Sequence, residues 1–74
     1  MEEEIEEYLQ KHYILDIEVK FKEFRNYLVN VKFDKLTAEI KFTYDNHYTF
    51  EVNMASLMNY IDKCILEYFK KEGV

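Results

Sequence analysis

The sequence predicts an α+β fold in two layers, ordered α-β-β-β-β-α: a four-stranded antiparallel meander with both helices packed on one face. Three observations lead there. A helical period occupies about residues 2–12, and four runs of period two follow at about 14–22, 27–33, 37–44 and 48–53. A helical period then returns over about 55–71. The 74 residues read as one domain, because no proline occurs and the only glycine is Gly73, which leaves no linker signal and no Gly-rich phosphate loop.

In the first helix, Met1, Ile5, Tyr8, Leu9 and His12 fall on one face at about 100° per residue, and Glu3, Glu7, Gln10 and Lys11 on the other. Glutamates in the first turn suit the positive end of the helix dipole. The strands show clean parity. Leu15, Ile17, Val19 and Phe21 alternate with acids and lysines. Tyr27, Val29, Val31 and Phe33 alternate with Leu28, Asn30 and Lys32, then Ala38, Ile40, Phe42 and Tyr44 with Glu39, Lys41 and Thr43, and finally Tyr48, Phe50 and Val52 with Thr49, Glu51 and Asn53.

Register follows from the rule that opposed residues share a face. A three-residue loop Asp45-Asn46-His47 sets Tyr44 against Tyr48, Phe42 against Phe50, Ile40 against Val52 and Lys41 against Glu51, with His47 in the left-handed position. The loop Phe24-Arg25-Asn26 fits the same pattern, with Asn26 left-handed, Phe21 facing Val29, Val19 facing Val31 and Glu18 facing Lys32. The last helix starts at a cap on Asn53 or Ser56 and ends on Lys70 and Lys71. Leu57, Ile61, Cys64, Ile65 and Tyr68 form its stripe. Ala55, Tyr60, Leu66 and Phe69 widen the apolar arc to roughly 200°, beyond what one sheet face covers. The excess is expected to meet the first helix or, through Tyr60, Leu66 and Phe69, a second copy of the chain.

Composition narrows the function classes. Apolar residues are 49% and aromatics 18%, so the few core positions are large ones. The net charge of −5 is concentrated in residues 1–12, where five glutamates face one lysine. A nearly neutral body argues against direct nucleic-acid binding, which needs phosphate-neutralising cations. The lysines of the outer sheet face, Lys20, Lys22, Lys32 and Lys41, are matched by Asp16, Glu18, Glu39 and Glu51, and no strand aromatic has the parity to stack bases there. Cys64 is the only cysteine, so neither a disulfide nor a four-cysteine zinc site is expected. No apolar run approaches the roughly 18–20 residues of a membrane span, and the acidic start does not resemble a signal peptide, so a cytoplasmic location is expected.

The motifs of phosphate binding, zinc hydrolysis and serine hydrolysis are missing from the sequence, so no enzyme and no cofactor is expected. Asp45 and His47 could act as metal ligands or as an oriented base, but a metal needs three or four convergent donors and His12 is the only other histidine, so no metal site is assigned. His12 reads as a half-buried or helix-capping residue and Cys64 as a small buried hydrophobe.

The surfaces left for a protein partner are the acidic helix, through Glu3, Glu4, Glu6 and Glu7, and the tip Tyr44, Asp45, His47 and Tyr48. The expectation is a non-enzymatic interaction domain whose acidic surface docks on a basic protein, such as one that binds nucleic acid. Small size and Lys/Glu/Ile/Tyr/Asn-rich composition associate it with phage or prophage accessory proteins that inhibit host defence proteins, anti-CRISPR proteins among them. A homodimeric structural or regulatory module is the alternative, and a ligand-binding role at Asp45 and His47 ranks third.

Overall fold

A computed structural model describes residues 1–72, Glu72 by its backbone alone. The element order is α1 (Glu2–His12), β1 (Asp16–Glu23), β2 (Asn26–Lys32), β3 (Thr37–Thr43) and α2 (Phe50–Glu72). The α+β class and the placement of both helices on one sheet face agree with the sequence reading. The four-stranded sheet does not: the sheet has three strands, ordered β1-β2-β3, and both neighbouring pairs are antiparallel.

The missing strand is the run at 48–53, which enters α2 instead. Three alternating apolar residues, Tyr48, Phe50 and Val52, are too few to outweigh a competing helical period. Phe50, Met54, Leu57 and Ile61 recur every three or four residues, and in the helix the last three are fully buried. Helix entry is also capped. The Thr49 hydroxyl accepts from the Val52 N–H at 3.2 Å, so the cap is Thr49, ahead of the expected Asn53 or Ser56. The expected pairings Phe42–Phe50, Ile40–Val52 and Lys41–Glu51 are therefore not formed.

The β1–β2 register also differs, by two residues. Phe21 faces Tyr27, Val19 faces Val29, Ile17 faces Val31 and Asp16 faces Lys32. The loop is shorter than expected: Glu23 pairs with Asn26, Phe24 and Arg25 turn the corner, and a bulge lies between Phe21 and Glu23. Because the shift is even from Asp16 to Phe21, those side chains keep their predicted face, and only Glu23, beyond the bulge, opposes Asn26 on the outer face instead. The left-handed residue is neither Asn26 nor His47 but Phe24, at φ 56°, the only non-glycine residue with positive φ among those described.

Across the sheet, three apolar rows face the helices: Ile17–Val31–Ala38, Val19–Val29–Ile40 and Phe21–Tyr27–Phe42. With Ile5 and Leu9 of α1 and Met54, Leu57 and Ile61 of α2, they make one core. Helix α1 lies along β1, and α2 along β3. At about 1.5 Å per residue, the 23 residues of α2 run about 34 Å. A strand of seven residues spans only about 24 Å. The last third of α2 therefore overhangs, which accounts for the 40 × 19 × 19 Å shape. No described residue of α2 beyond Ile61 is fully buried, although Tyr68 stacks on Phe33 at 4.4 Å between ring centroids.

Phe24 is three-quarters exposed and contributes only a cation–π contact with Arg25, at 4.8 Å. A bulky residue with positive φ carries roughly 1–2 kcal/mol of strain, and a primed hairpin turn favours glycine at that seat. Phe24→Gly is expected to raise the unfolding free energy by about 0.5–1 kcal/mol in urea titration, strain relief outweighing the lost contact and glycine's entropy.

Candidate functional site

The acidic helix divides into two working faces. Glu2, Glu6 and Gln10 form one stripe at i, i+4 and i+8 along the exposed edge of β1. The Val19 N–H donates to Glu6 Oε1 at 2.9 Å, the Phe21 N–H donates to Glu2 Oε2, and Gln10 Nε2 donates to the Ile17 carbonyl at 3.0 Å. The spacings match: four helical residues advance about 6 Å and two strand residues about 6.8 Å, so each turn of α1 reaches the next outward-facing group. The side chains thus stand in for a fourth strand on that edge. The dipole role assigned to the glutamate run is only part of its work, and Glu6 is half-buried in this contact.

Glu3 and Glu7 point away from the sheet and are exposed, and Glu4 lies beside them, 3.5 Å from the terminal amine. Of the four helix glutamates predicted to meet a partner, three therefore form an outward ridge and one holds the fold. His12 is exposed, its ring stacked on Tyr8 at 4.4 Å, and its Nδ1–H donates to the Tyr8 carbonyl at 2.8 Å. The ring is thus exposed rather than half-buried, and it bonds a carbonyl inside the helical ladder rather than one of the open carbonyls beyond Leu9.

The segment 44–48 is a loop between β3 and α2, organised by Asn53 from below. Asn53 is 4% exposed; its Oδ1 accepts from the Asp45 N–H at 2.8 Å, and its Nδ2 donates to the carbonyls of Asp45 and Thr49, both at 2.9 Å. Above this knot, Asp45 Oδ1 accepts from the His47 N–H at 2.9 Å and from His47 Nδ1 at 3.0 Å. The backbone bond from His47, and then its ring, holds the Asp45 carboxyl below its ordinary pKa. Tyr44 is buried in the core and Tyr48 is exposed, so the tip offers a partner Asp45, His47 and Tyr48 but not two tyrosines. The bond between Asp45 and His47 closes a turn. Among the described residues, no three His, Cys, Asp or Glu side chains converge as a metal site would require.

Tyr60, Leu66 and Phe69 are all more than half exposed but do not share a surface. At about 100° per residue Tyr60 and Phe69 point in opposite directions, whereas Leu66 and Phe69 lie together. The Tyr13 hydroxyl reaches α2 on the Leu66 and Phe69 side, donating to Asp62 Oδ1 at 2.6 Å near the Met58 carbonyl. Burial, reinforced by the Asp62 bond, pushes the Tyr13 pKa well above the ordinary tyrosine value. Sequence periodicity missed this inter-element tie, because it joins residues 49 positions apart. Cys64 is half-buried rather than fully buried, and burial raises its pKa, which disfavours the thiolate.

The outer sheet face is banded by row. Glu18, Asn30 and Glu39 form one row; Lys20, Leu28 and Lys41 form the next. Lys32 lies 3.8 Å from Asp16, but Glu51 is on α2 and takes no part in this face. No helix among the described residues is long and apolar enough to cross a membrane. Compared with known proteins, the chain matches no family model, no curated protein and no solved structure.

Glu2→Ala with Glu6→Ala leaves the Phe21 and Val19 N–H groups without their acceptors. The pair is expected to cost about 1–3 kcal/mol in unfolding free energy and to speed amide exchange at Val19 and Phe21 relative to Val29. The raised Tyr13 pKa sets a second expectation. Below the ordinary tyrosine pKa, near 10, folded and unfolded chains both hold the proton, and the stabilisation is complete. As pH rises from there toward the folded value, the unfolded chain ionises first and stability falls. Tyr27, raised mainly by burial, adds to the same trend. Melting temperatures measured from pH 8 upward are expected to fall less steeply in Tyr13→Phe than in the wild type.

Proposed function

We propose that this chain is a small, acidic, non-enzymatic protein-interaction domain of the cytoplasm, and that Glu3, Glu4 and Glu7 dock it against a basic surface of a protein partner. The observation that carries the reading is the division of labour on α1. Glu2, Glu6 and Gln10 lock the helix to β1, so the outward carboxylates stand on a rigid support, with little ordering entropy left to lose on binding. Like-signed charge on a fixed ridge speeds encounter with a cationic surface and disfavours acidic competitors. The loop residues Asp45, His47 and Tyr48 extend the polar surface available to such a partner.

In its finer form the proposal takes the partner to be a nucleic-acid-binding or defence protein whose basic groove the ridge occupies, in the manner of a phage-encoded inhibitor such as an anti-CRISPR protein. Chain size and composition support that form by association.

The test reverses the ridge without touching the edge cover. Proteins captured from the source cells would be identified, the basic ones purified, and their affinity measured for the wild type and for Glu3→Lys/Glu4→Lys/Glu7→Lys. Binding is expected to weaken by roughly tenfold or more in the triple variant and to fall with added salt, while the chain still folds with a modestly lower melting temperature, because Glu3 and Glu4 also face the helix dipole. Competition by single- or double-stranded nucleic acid for the same partner tests the finer form. Equal affinity of wild type and variant would sink the docking proposal.

A further inference from the structure

The two edges of the sheet are treated differently. On β1, the outward-facing groups of Ile17, Val19 and Phe21 are taken by α1 side chains. An antiparallel ladder alternates the direction of its backbone groups. With Val19 and Phe21 pointing away from β2, their partners Val29 and Tyr27 must point toward β3, and so Ile40 and Phe42 must point back toward β2. Glu39 and Lys41 therefore direct their N–H and C=O groups out of the sheet. Among the described residues, no side chain or loop bonds to those four groups. Both side chains are exposed, and neither proline nor glycine interrupts the strand.

That edge is self-complementary. β3 reads Thr-Ala-Glu-Ile-Lys-Phe-Thr, a pattern nearly symmetric about Ile40. We propose that β3 is the docking edge for a second copy of this chain, pairing antiparallel about a two-fold axis at Ile40 to give a continuous six-stranded sheet. In that register Glu39 of each copy faces Lys41 of the other, twice, on the outer face. Thr37 faces Thr43, Ala38 faces Phe42, and Ile40 faces its own mate. The hydrogen-bond phase agrees: Glu39 with Lys41 and Thr37 with Thr43 are the pairs whose backbone groups point outward, and Ile40 sits at the non-bonded pair on the axis.

The neighbouring registers fail. A shift of two residues one way opposes Glu39 with Glu39, and the other way Lys41 with Lys41, both like-charge pairs. A shift of one residue mixes the core face with the outer face. An exposed edge lysine ordinarily discourages strand addition, yet here it meets a glutamate only in the one symmetric register, which turns a protective charge into a selective one. Tyr60, on the flank of α2 turned away from Tyr13 and α1, stands on the side from which the second copy approaches. The pairing uses neither Glu3, Glu4 nor Glu7, so it stands apart from the acidic ridge.

The test is a charge swap read by light scattering and sedimentation over a dilution series up to about 100 μM, where specific micromolar association is saturated at the top of the series and a tenfold change in Kd is read below it. Wild type is expected to be a dimer. Glu39→Lys alone and Lys41→Glu alone each convert both pairs to like charge and are expected to weaken dimerisation by roughly tenfold or more. The double variant Glu39→Lys/Lys41→Glu restores opposite charges and the dimer. Mixing the two single variants in equal amounts yields a heterodimer, since each then supplies the charge the other lacks. Amide exchange at Glu39 and Lys41 slows with increasing wild-type concentration. A monomer at the top of the series, whose β3 edge is open to a foreign strand, overturns the proposal. So does a dimer indifferent to both single changes, which would place the contact elsewhere, as on the Leu66 and Phe69 flank.

Discussion

The contact between α1 and the edge of β1 organises this structure. A three-stranded sheet has two edges and only one interior strand, so its edge groups are a large share of its backbone polarity. Glu2 and Glu6 give the Phe21 and Val19 N–H groups charged acceptors, and Gln10 gives the Ile17 carbonyl a donor. Charge-assisted bonds of this kind are stronger than neutral ones. They also set the height and direction of α1, which places Ile5 and Leu9 over Val19 and its neighbours in the core. Packing and edge satisfaction are thus one geometric fact, because the helix that covers the apolar face also closes its border.

The far end of the chain shows a different solution to a related problem. After β3 the backbone must leave the sheet and start a long helix, exposing four N–H groups at the helix start. Thr49 takes one of them, and the buried Asn53 side chain ties the loop backbone to the first turn. A buried amide with all its bonds made is directional in a way that apolar packing is not. It holds residues 45–49 as a turn, and in doing so it removes the fourth strand.

Much of the architecture could be read from periodicity. The parity of the residues from Asp16 to Phe21 in β1, and throughout β2 and β3, is as expected, because alternation survives any even error in register; only Glu23, beyond the bulge, changes face. The fourth strand failed where two periods overlapped in few residues. Phe50 and Val52 fit a strand, and Phe50 with Met54 and Leu57 fits a helix; the helix buries more. For the candidate site, the acidic helix was legible as a charge run but its division was not. Glu6 differs from Glu7 only by which side of α1 meets β1, and that depends on contacts between residues 13 apart in sequence. The same limit hid the bond between Tyr13 and Asp62.

The glutamate run therefore answers two demands with one composition. A helix that must offer acceptors to a strand edge needs carboxylates every fourth residue, and a ridge that attracts a cationic surface needs them on a flank turned to solvent. Glu2 and Glu6 meet the first demand, Glu3 and Glu7 the second, and the helical repeat keeps the sets apart. A lysine substituted at position 6 would remove an acceptor from Val19 as well as one negative charge. At position 7 it would alter the surface field alone. Charge reversal of the whole run would mix loss of folding with loss of binding, so the face of each glutamate, rather than its place in the run, decides what its replacement means.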